Sequence, residues 1–190
     1  TISQLHYYQV SHMDLKPSNV ILCQDKNHPN YQKILLFDFG YSNSKLRDTM
    51  SEFGGQFTPM YNAPEQALQT ENLTAMVDYY SFGIMLHEYL TGLPLFPRAL
   101  ELFIAGNYTI TEEYMEHLRS GKRNQIKYFP KVMELIDQLT IFDSTLRKAL
   151  CPNMFDIAHK LKEIVKAEGY TDVNIDFLDS QLAEYHKLNI

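Results

Sequence analysis

The sequence predicts an α+β fold that is mostly α-helical, with its few strands gathered near one end. Three observations carry this. Two short apolar runs, "NVILC" (19–23) and "KILLF" (33–37), flank a polar stretch, the pattern of a β-hairpin with a long tip. Between 38 and 62 periodicity disappears, and three of the eight glycines fall there. From about 64 onward, apolar residues recur at three- and four-residue spacing in segments that open on proline or close on glycine.

Taken in order, residues 1–11 read as the end of a helix, with Ile2 and Leu5 sharing a face. Pro17 in "LKPSN" forbids helix continuation, so a loop follows. The hairpin comes next, its tip at 24–32 long enough to read as an insertion. The stretch 38–62 is a surface loop, and loops of that length tend to be functional. "DYYSFGIMLHEYLTG" (78–92) is largely apolar and stops at Gly92, as a buried helix does. "RALELFIAG" and "ITEEYMEHLRSG" close on glycine in the same way, whereas "PKVMELIDQLTIF" and "PNMFDIAHKLKEIVKAEG" begin with proline near the first turn. The tail "YTDVNIDFLDSQLAEYHKLNI" gives no assignment.

A chain of 190 residues, 45% hydrophobic and 21% charged, suits one domain with a real core. Its formal net charge of -6 argues against general affinity for nucleic acid or an anionic membrane. The basic stretch "SGKRNQIK" (120–127) is short and reads as solvated loop. Cys23 and Cys151 lie far apart, which offers no disulfide framework and suits a reducing, cytoplasmic location. Apolar runs such as "ILLF" are too short to span a bilayer, and no signal peptide is visible. The chain opens at Thr1 in mid-pattern, as expected of a piece of a longer protein.

The chemistry concentrates in "HMDLKPSNV" (12–20). Asp14 can accept a proton or orient a hydroxyl, Lys16 brings a fixed positive charge, and Asn19 offers a neutral oxygen to a hard cation. Asp38 follows the strand "ILLF" and opens "DFG". A carboxylate and an amide carbonyl at the ends of two paired strands could hold Mg2+ against a polyphosphate, with the lysine balancing charge on the transferred group. The seven histidines are scattered. His87 in "HEYLT" begins like a zinc-protease helix, but Thr91 stands where the second histidine must be, so His87 reads as an ordinary helix residue.

"HMDLKPSN", "DFG", "APE" (63–65) and "DYYSFG" (78–83) occur in the order and rough spacing of eukaryotic protein kinases. The chain resembles their C-terminal lobe, of the serine/threonine type, over residues 1–168, and residues 169–190 form a tail of unknown role outside it. The resemblance implies that Asp14 is the catalytic aspartate and that Lys16 steadies the γ-phosphate of ATP. Asn19 and Asp38 would be the metal ligands, and Ile21 would lie beneath the adenine ring. "FTPMYNAPE" (57–65) resembles the cradle for a peptide substrate, where Thr58 would link to Asp14 and Lys16. Glu65 would pair with Arg147, Asp78 would accept hydrogen bonds from the backbone around His12, and His12 would stack with Phe39.

Met13 stands where the family places the arginine that grips an activation-loop phosphate, a bidentate task that methionine cannot perform. Activation by that clamp is not expected, although Ser42, Ser44, Thr49 and Ser51 remain candidate phosphorylation sites. No Gly-x-Gly-x-x-Gly occurs, nor a strand lysine followed by a helix glutamate. The N-terminal lobe, and half of the ATP site, is thus expected to be absent.

The resemblance implies a fragment of a serine/threonine protein kinase that uses ATP and Mg2+, acts on protein substrates, and works with an N-terminal lobe in its parent chain. The alternative is a pseudokinase or truncated lobe serving as a protein-binding scaffold. A small-molecule kinase fits "FTPMYNAPE" less well.

Overall fold

The computed structural model describes residues 1–24, 32–44, 60–68, 73–106, 110–120, 123–125 and 129–167. Helix α1 (Ile2–Tyr7) leads into a short strand β1 (Val10–Ser11), and Pro17–Asn19 form a 3₁₀ turn. Strands β2 (Val20–Gln24) and β3 (Gln32–Leu36) pair antiparallel, with Val20 opposite Leu36 and Ile21 opposite Leu35. These bounds sit one residue from the apolar runs in the sequence, one strand later and the other earlier. The tip of the hairpin lies outside the described residues.

The stretch read as an irregular loop begins with more order than expected. A 3₁₀ turn at Phe39–Tyr41 is followed by β4 (Asn43–Ser44), which pairs antiparallel with β1. This second, two-stranded ladder joins the entrance of the Asp14 loop to the exit of the Asp38 turn. Residues 45–59 lie outside the described residues.

The rest is helical: α2 (Pro64–Ala67), α3 (Met76–Thr91), α4 (Pro97–Ala105), α5 (Glu112–Ser120), α6 (Pro130–Leu139), α7 (Ser144–Leu150) and α8 (Met154–Ala167). Helices α2, α4 and α6 each place proline in the first turn, where the missing N–H is no loss. Helix α7 was not separable in the sequence. Asp143 caps it, accepting from the amides of Thr145 and Leu146 at 2.8 and 2.9 Å. Helix α3 ends at Gly92, whose φ of 68° needs the freedom of a residue without Cβ.

Helix α3 is the keel of the molecule. Nine of its residues are buried, including Asp78, Ser81 and His87. One face packs Val77, Tyr80 and Ile84 into a cluster with residues of α4, α5 and α6. Met76 and Tyr79 join Leu135, Leu139, Cys151, Met154 and Ile157 in a second. At Gly83 a Cβ would meet Thr140 Cγ2 at 2.7 Å and Leu139 Cβ at 2.9 Å, so glycine lets α3 and the end of α6 approach closely. His87 is more than an ordinary helix residue: fully buried, its ring nitrogens lie 3.1 Å from the carbonyls of Leu93 and Asn124. It ties the α3–α4 connection to the segment before α6. Among the described residues, no helix is long and apolar enough to cross a membrane.

Candidate active site

Residues 12–14 belong to no helix or strand, so their backbone groups need partners from elsewhere. Side chains supply them from four directions. The amides of His12 and Met13 donate to the two oxygens of Asp78, at 2.8 and 2.9 Å. Ser42 Oγ donates to the His12 carbonyl at 3.3 Å, and Gln66 Nε2 to the Met13 carbonyl at 2.7 Å. Asn19 Nδ2 donates to the Asp14 carbonyl at 2.8 Å. Each of the charged or amide groups is anchored in turn. Asp78 is fully buried and also accepts from His6 Nε2 at 2.8 Å, and the His6 ring stacks on Tyr79.

His12 links this loop to the turn that carries Asp38. Its Nε2 must hold the proton, because it faces the Phe37 carbonyl at 2.8 Å; Nδ1 is then the acceptor for the Asp14 amide at 3.4 Å. The same ring packs against Phe39 with centroids 4.8 Å apart. The Phe37 amide donates to the Asn19 carbonyl at 2.9 Å. Both neighbours of Asp38 therefore contact the segment 12–19. Asp38 itself is exposed and holds a left-handed backbone, φ 58° and ψ 68°, stabilised by a 3.4 Å contact from the Gly40 amide to its carboxylate. Such a conformation costs a non-glycine residue about 1–3 kcal/mol and tends to persist where the surroundings enforce it.

Asp14 is buried, and two cationic or polar groups converge on one of its oxygens: Lys16 Nζ at 2.7 Å and Asn19 Nδ2 at 3.0 Å from Oδ2. Both contacts of the Asn19 amide are to acceptors, which fixes its NH2 toward Asp14 and leaves Oδ1 as the oxygen for another partner. Asp38 brings an exposed carboxylate and Asn19 a neutral amide oxygen, both hard oxygen donors. Magnesium takes few such protein oxygens, because it keeps waters and phosphate oxygens as its remaining ligands. Among the described residues no group of three or more His, Cys, Asp or Glu side chains gathers into a metal cluster. Ile21 lies on β2 across from Leu35 and is 46% exposed.

The far side of the site is built from 60–66. Tyr61 Oη donates to Glu88 Oε2 at 2.5 Å, and Ser81 Oγ donates to the Tyr61 carbonyl at 2.7 Å, so α3 grips this segment at two points. Burial, with the Glu88 carboxylate adding to it, pushes the Tyr61 phenol well above its usual range. Glu65 meets Arg147, whose guanidinium is fully buried and also donates to the carbonyls of Met76 and Ile141. Thr58 lies outside the described residues. Met13 is buried, with φ 69°, in the core cluster that also holds Ala63, Val77 and Tyr80.

The sequence reading did not single out His6, Tyr61, Gln66 or Glu88. Only Gln66 had a local signal: glutamine three residues into a helix that begins at Pro64 is half of a capping box.

Residues 1–161 match the family model of the protein kinase domain. The chain is 33% identical over 138 residues to mitogen-activated protein kinase pmk-1 of Caenorhabditis elegans, covering 69% of this chain and 34% of that protein. It is 26% identical over 209 residues to mitogen-activated protein kinase 6 of Arabidopsis thaliana, covering 96% and 50%. With myosin light chain kinase A of Dictyostelium discoideum the identity is 32% over 118 residues, covering 60% and 38%. The chain spans half or less of the length of these relatives.

Proposed function

The chain belongs to the protein kinase family, and from that premise we propose that it forms the C-terminal lobe of a serine/threonine kinase, transferring the γ-phosphoryl group of ATP to protein hydroxyls. The observation that carries the reading is the convergence of Lys16 and Asn19 on one oxygen of Asp14. With Oδ2 engaged, Oδ1 is the oxygen left to accept the hydrogen bond of an incoming serine or threonine hydroxyl. The hydroxyl oxygen then bonds to the γ-phosphorus as the bond to the β–γ bridging oxygen breaks, and ADP leaves. Asp14 orients the nucleophile and takes its proton, while the Lys16 ammonium offsets negative charge on the transferred group. Asn19 and Asp38 would hold Mg2+, which when bound neutralises charge on the triphosphate.

The hairpin supports a partner for this lobe. Ile21 and Leu35 on one face of the hairpin, and Leu22 and Ile34 on the other, are between 38% and 52% exposed. An N-terminal lobe closing over the face that carries Ile21 and Leu35 would bury it and complete a nucleotide site above Ile21. The scaffold alternative draws on Met13, which puts no charge where the family's phosphate clamp would be. It predicts a folded protein that binds partners without turnover.

The test uses the full-length protein and its Asp14→Asn form with Mg2+, ATP and a panel of serine/threonine peptides. Removing a general base typically costs about 10^2 to 10^4-fold in rate. Equal rates for the two proteins would overturn the assignment of Asp14, and no turnover by either would favour the scaffold.

A further inference from the structure

We infer that Gln66 is a positioning residue for Asp14, acting through the Met13 carbonyl; the inference rests on the phosphotransfer reading of that aspartate. The Met13 peptide immediately precedes Asp14, and its carbonyl accepts from Gln66 Nε2 at 2.7 Å. The other end of the same carboxamide, Oε1, accepts the Ala63 amide at 3.0 Å. Ala63 opens α2 and has no side-chain oxygen with which to cap it, so its neighbourhood depends on a residue further along the helix. Gln66 thus joins two backbone groups from segments 50 residues apart in sequence, one beside the proton-accepting side chain and one in the peptide-binding stretch.

Chemistry makes this link specific to an amide. Met13 offers an acceptor and Ala63 a donor, so the bridging group must donate at one end and accept at the other. A glutamate of the same shape could satisfy Ala63 but would set a second oxygen against the Met13 carbonyl. A methionine of similar volume could satisfy neither. Both backbone groups are buried, with Ala63 wholly inaccessible and Met13 3% exposed, so water is poorly placed to replace the lost bond. Met13 also holds φ 69°, a conformation that relaxes readily unless its surroundings oppose it. Its amide is fixed by Asp78 and its carbonyl by Gln66, one from α3 and one from α2.

Neither partner is ionisable. The link therefore holds independently of salt and of pH through the neutral range, which an arginine–phosphate clamp would not. The α2 end is itself stiff, because Arg147 grips Glu65 and α3 grips Tyr61. Gln66 passes that stiffness to the loop that aims Asp14.

The test compares Gln66→Glu and Gln66→Met with the wild type in the full-length protein, by steady-state kinetics, thermal melting and amide hydrogen exchange. Gln66→Glu is expected to lower kcat about tenfold with KM for ATP unchanged, and to speed exchange in 12–15 by a similar factor, while Ala63 stays protected. Gln66→Met is expected to lose protection at both places. An unchanged kcat in both variants would overturn the inference, as would exchange rising evenly across the molecule together with a fall in melting temperature. If the wild type turned over no peptide, the phosphotransfer reading would fail by itself. Exchange confined to 12–15 and Ala63 would still support the link, and unchanged exchange there would refute it.

Discussion

Arg147 meets Glu65 in a two-pronged contact, Nη1 to Oε1 at 2.7 Å and Nη2 to Oε2 at 3.2 Å, across 82 residues of sequence. The same guanidinium lies over the Tyr80 ring, 5.0 Å from its centroid, and donates to the carbonyls of Met76 and Ile141. Replacing it removes the ion pair and the donors to the Met76 and Ile141 carbonyls at once. Arg147→Met is expected to cost about 3–5 kcal/mol of stability, and Glu65→Gln, which keeps an acceptor, clearly less. Urea denaturation of both variants checks the order. Equal losses would mean that the ion pair, not the carbonyl contacts, carries the effect.

Asp78 satisfies two adjacent amides with its two oxygens, which an asparagine cannot do. In Asp78→Asn, one amide of His12 or Met13 faces an NH2 group and goes unpaired. The expected cost is about 1.5–3 kcal/mol, as for hydrogen bonds to a charged group. Amide exchange read at residues 12 and 13 should accelerate more than in α6. A uniform change would point to a general loss of packing instead.

Gly83 sets the spacing of α3 against the end of α6. Alanine normally favours a helix by about 1 kcal/mol over glycine. Here the new Cβ would press within 3 Å of Thr140 and Leu139. Overpacking of that kind costs about 1–3 kcal/mol, so Gly83→Ala is expected to lower the melting temperature despite its better propensity. A higher melting temperature would show that Thr140 can rotate away.

Tyr61, Tyr79, Tyr80 and Tyr114 all have phenols raised above their usual range, chiefly by burial. The unfolded chain loses these protons near its ordinary value of about 10, whereas the folded chain retains them. Stability from these groups is therefore complete below that pH and falls as pH rises beyond it. Ultraviolet difference titration should show these phenols ionising together with unfolding. A smooth, independent titration of all tyrosines near the ordinary value would contradict their burial.

Elements with a strong local pattern were legible in the sequence. The hairpin, α3 with its stop at Gly92, the glycine-closed α4 and α5, and the proline-led α6 and α8 all follow from periodicity and breakers. Helices α2 and α7 span four and seven residues, too few turns for periodicity to register. Of the site, the segment 12–19 and Asp38 stood out because a carboxylate, a lysine and an amide at that spacing suit phosphate and cation chemistry and sit in motifs that resemble those of protein kinases. Gln66, which holds the Met13 carbonyl, and the more remote His6 and Glu88, which hold Asp78 and Tyr61, did not, since a hydrogen bond between distant segments leaves no trace in spacing. Thr58, assigned by resemblance, lies outside the described residues.

The dependence of residues 12 and 13 on a carboxylate 65 and 66 positions downstream has a consequence for biosynthesis. As the nascent chain emerges, the loop precedes its anchor by many seconds of translation at about 5–20 residues per second. Until α3 has been made and has seated, those amides remain with solvent, and the loop has no reason to adopt its final course. The loop is made before its anchor and takes its final course only after it.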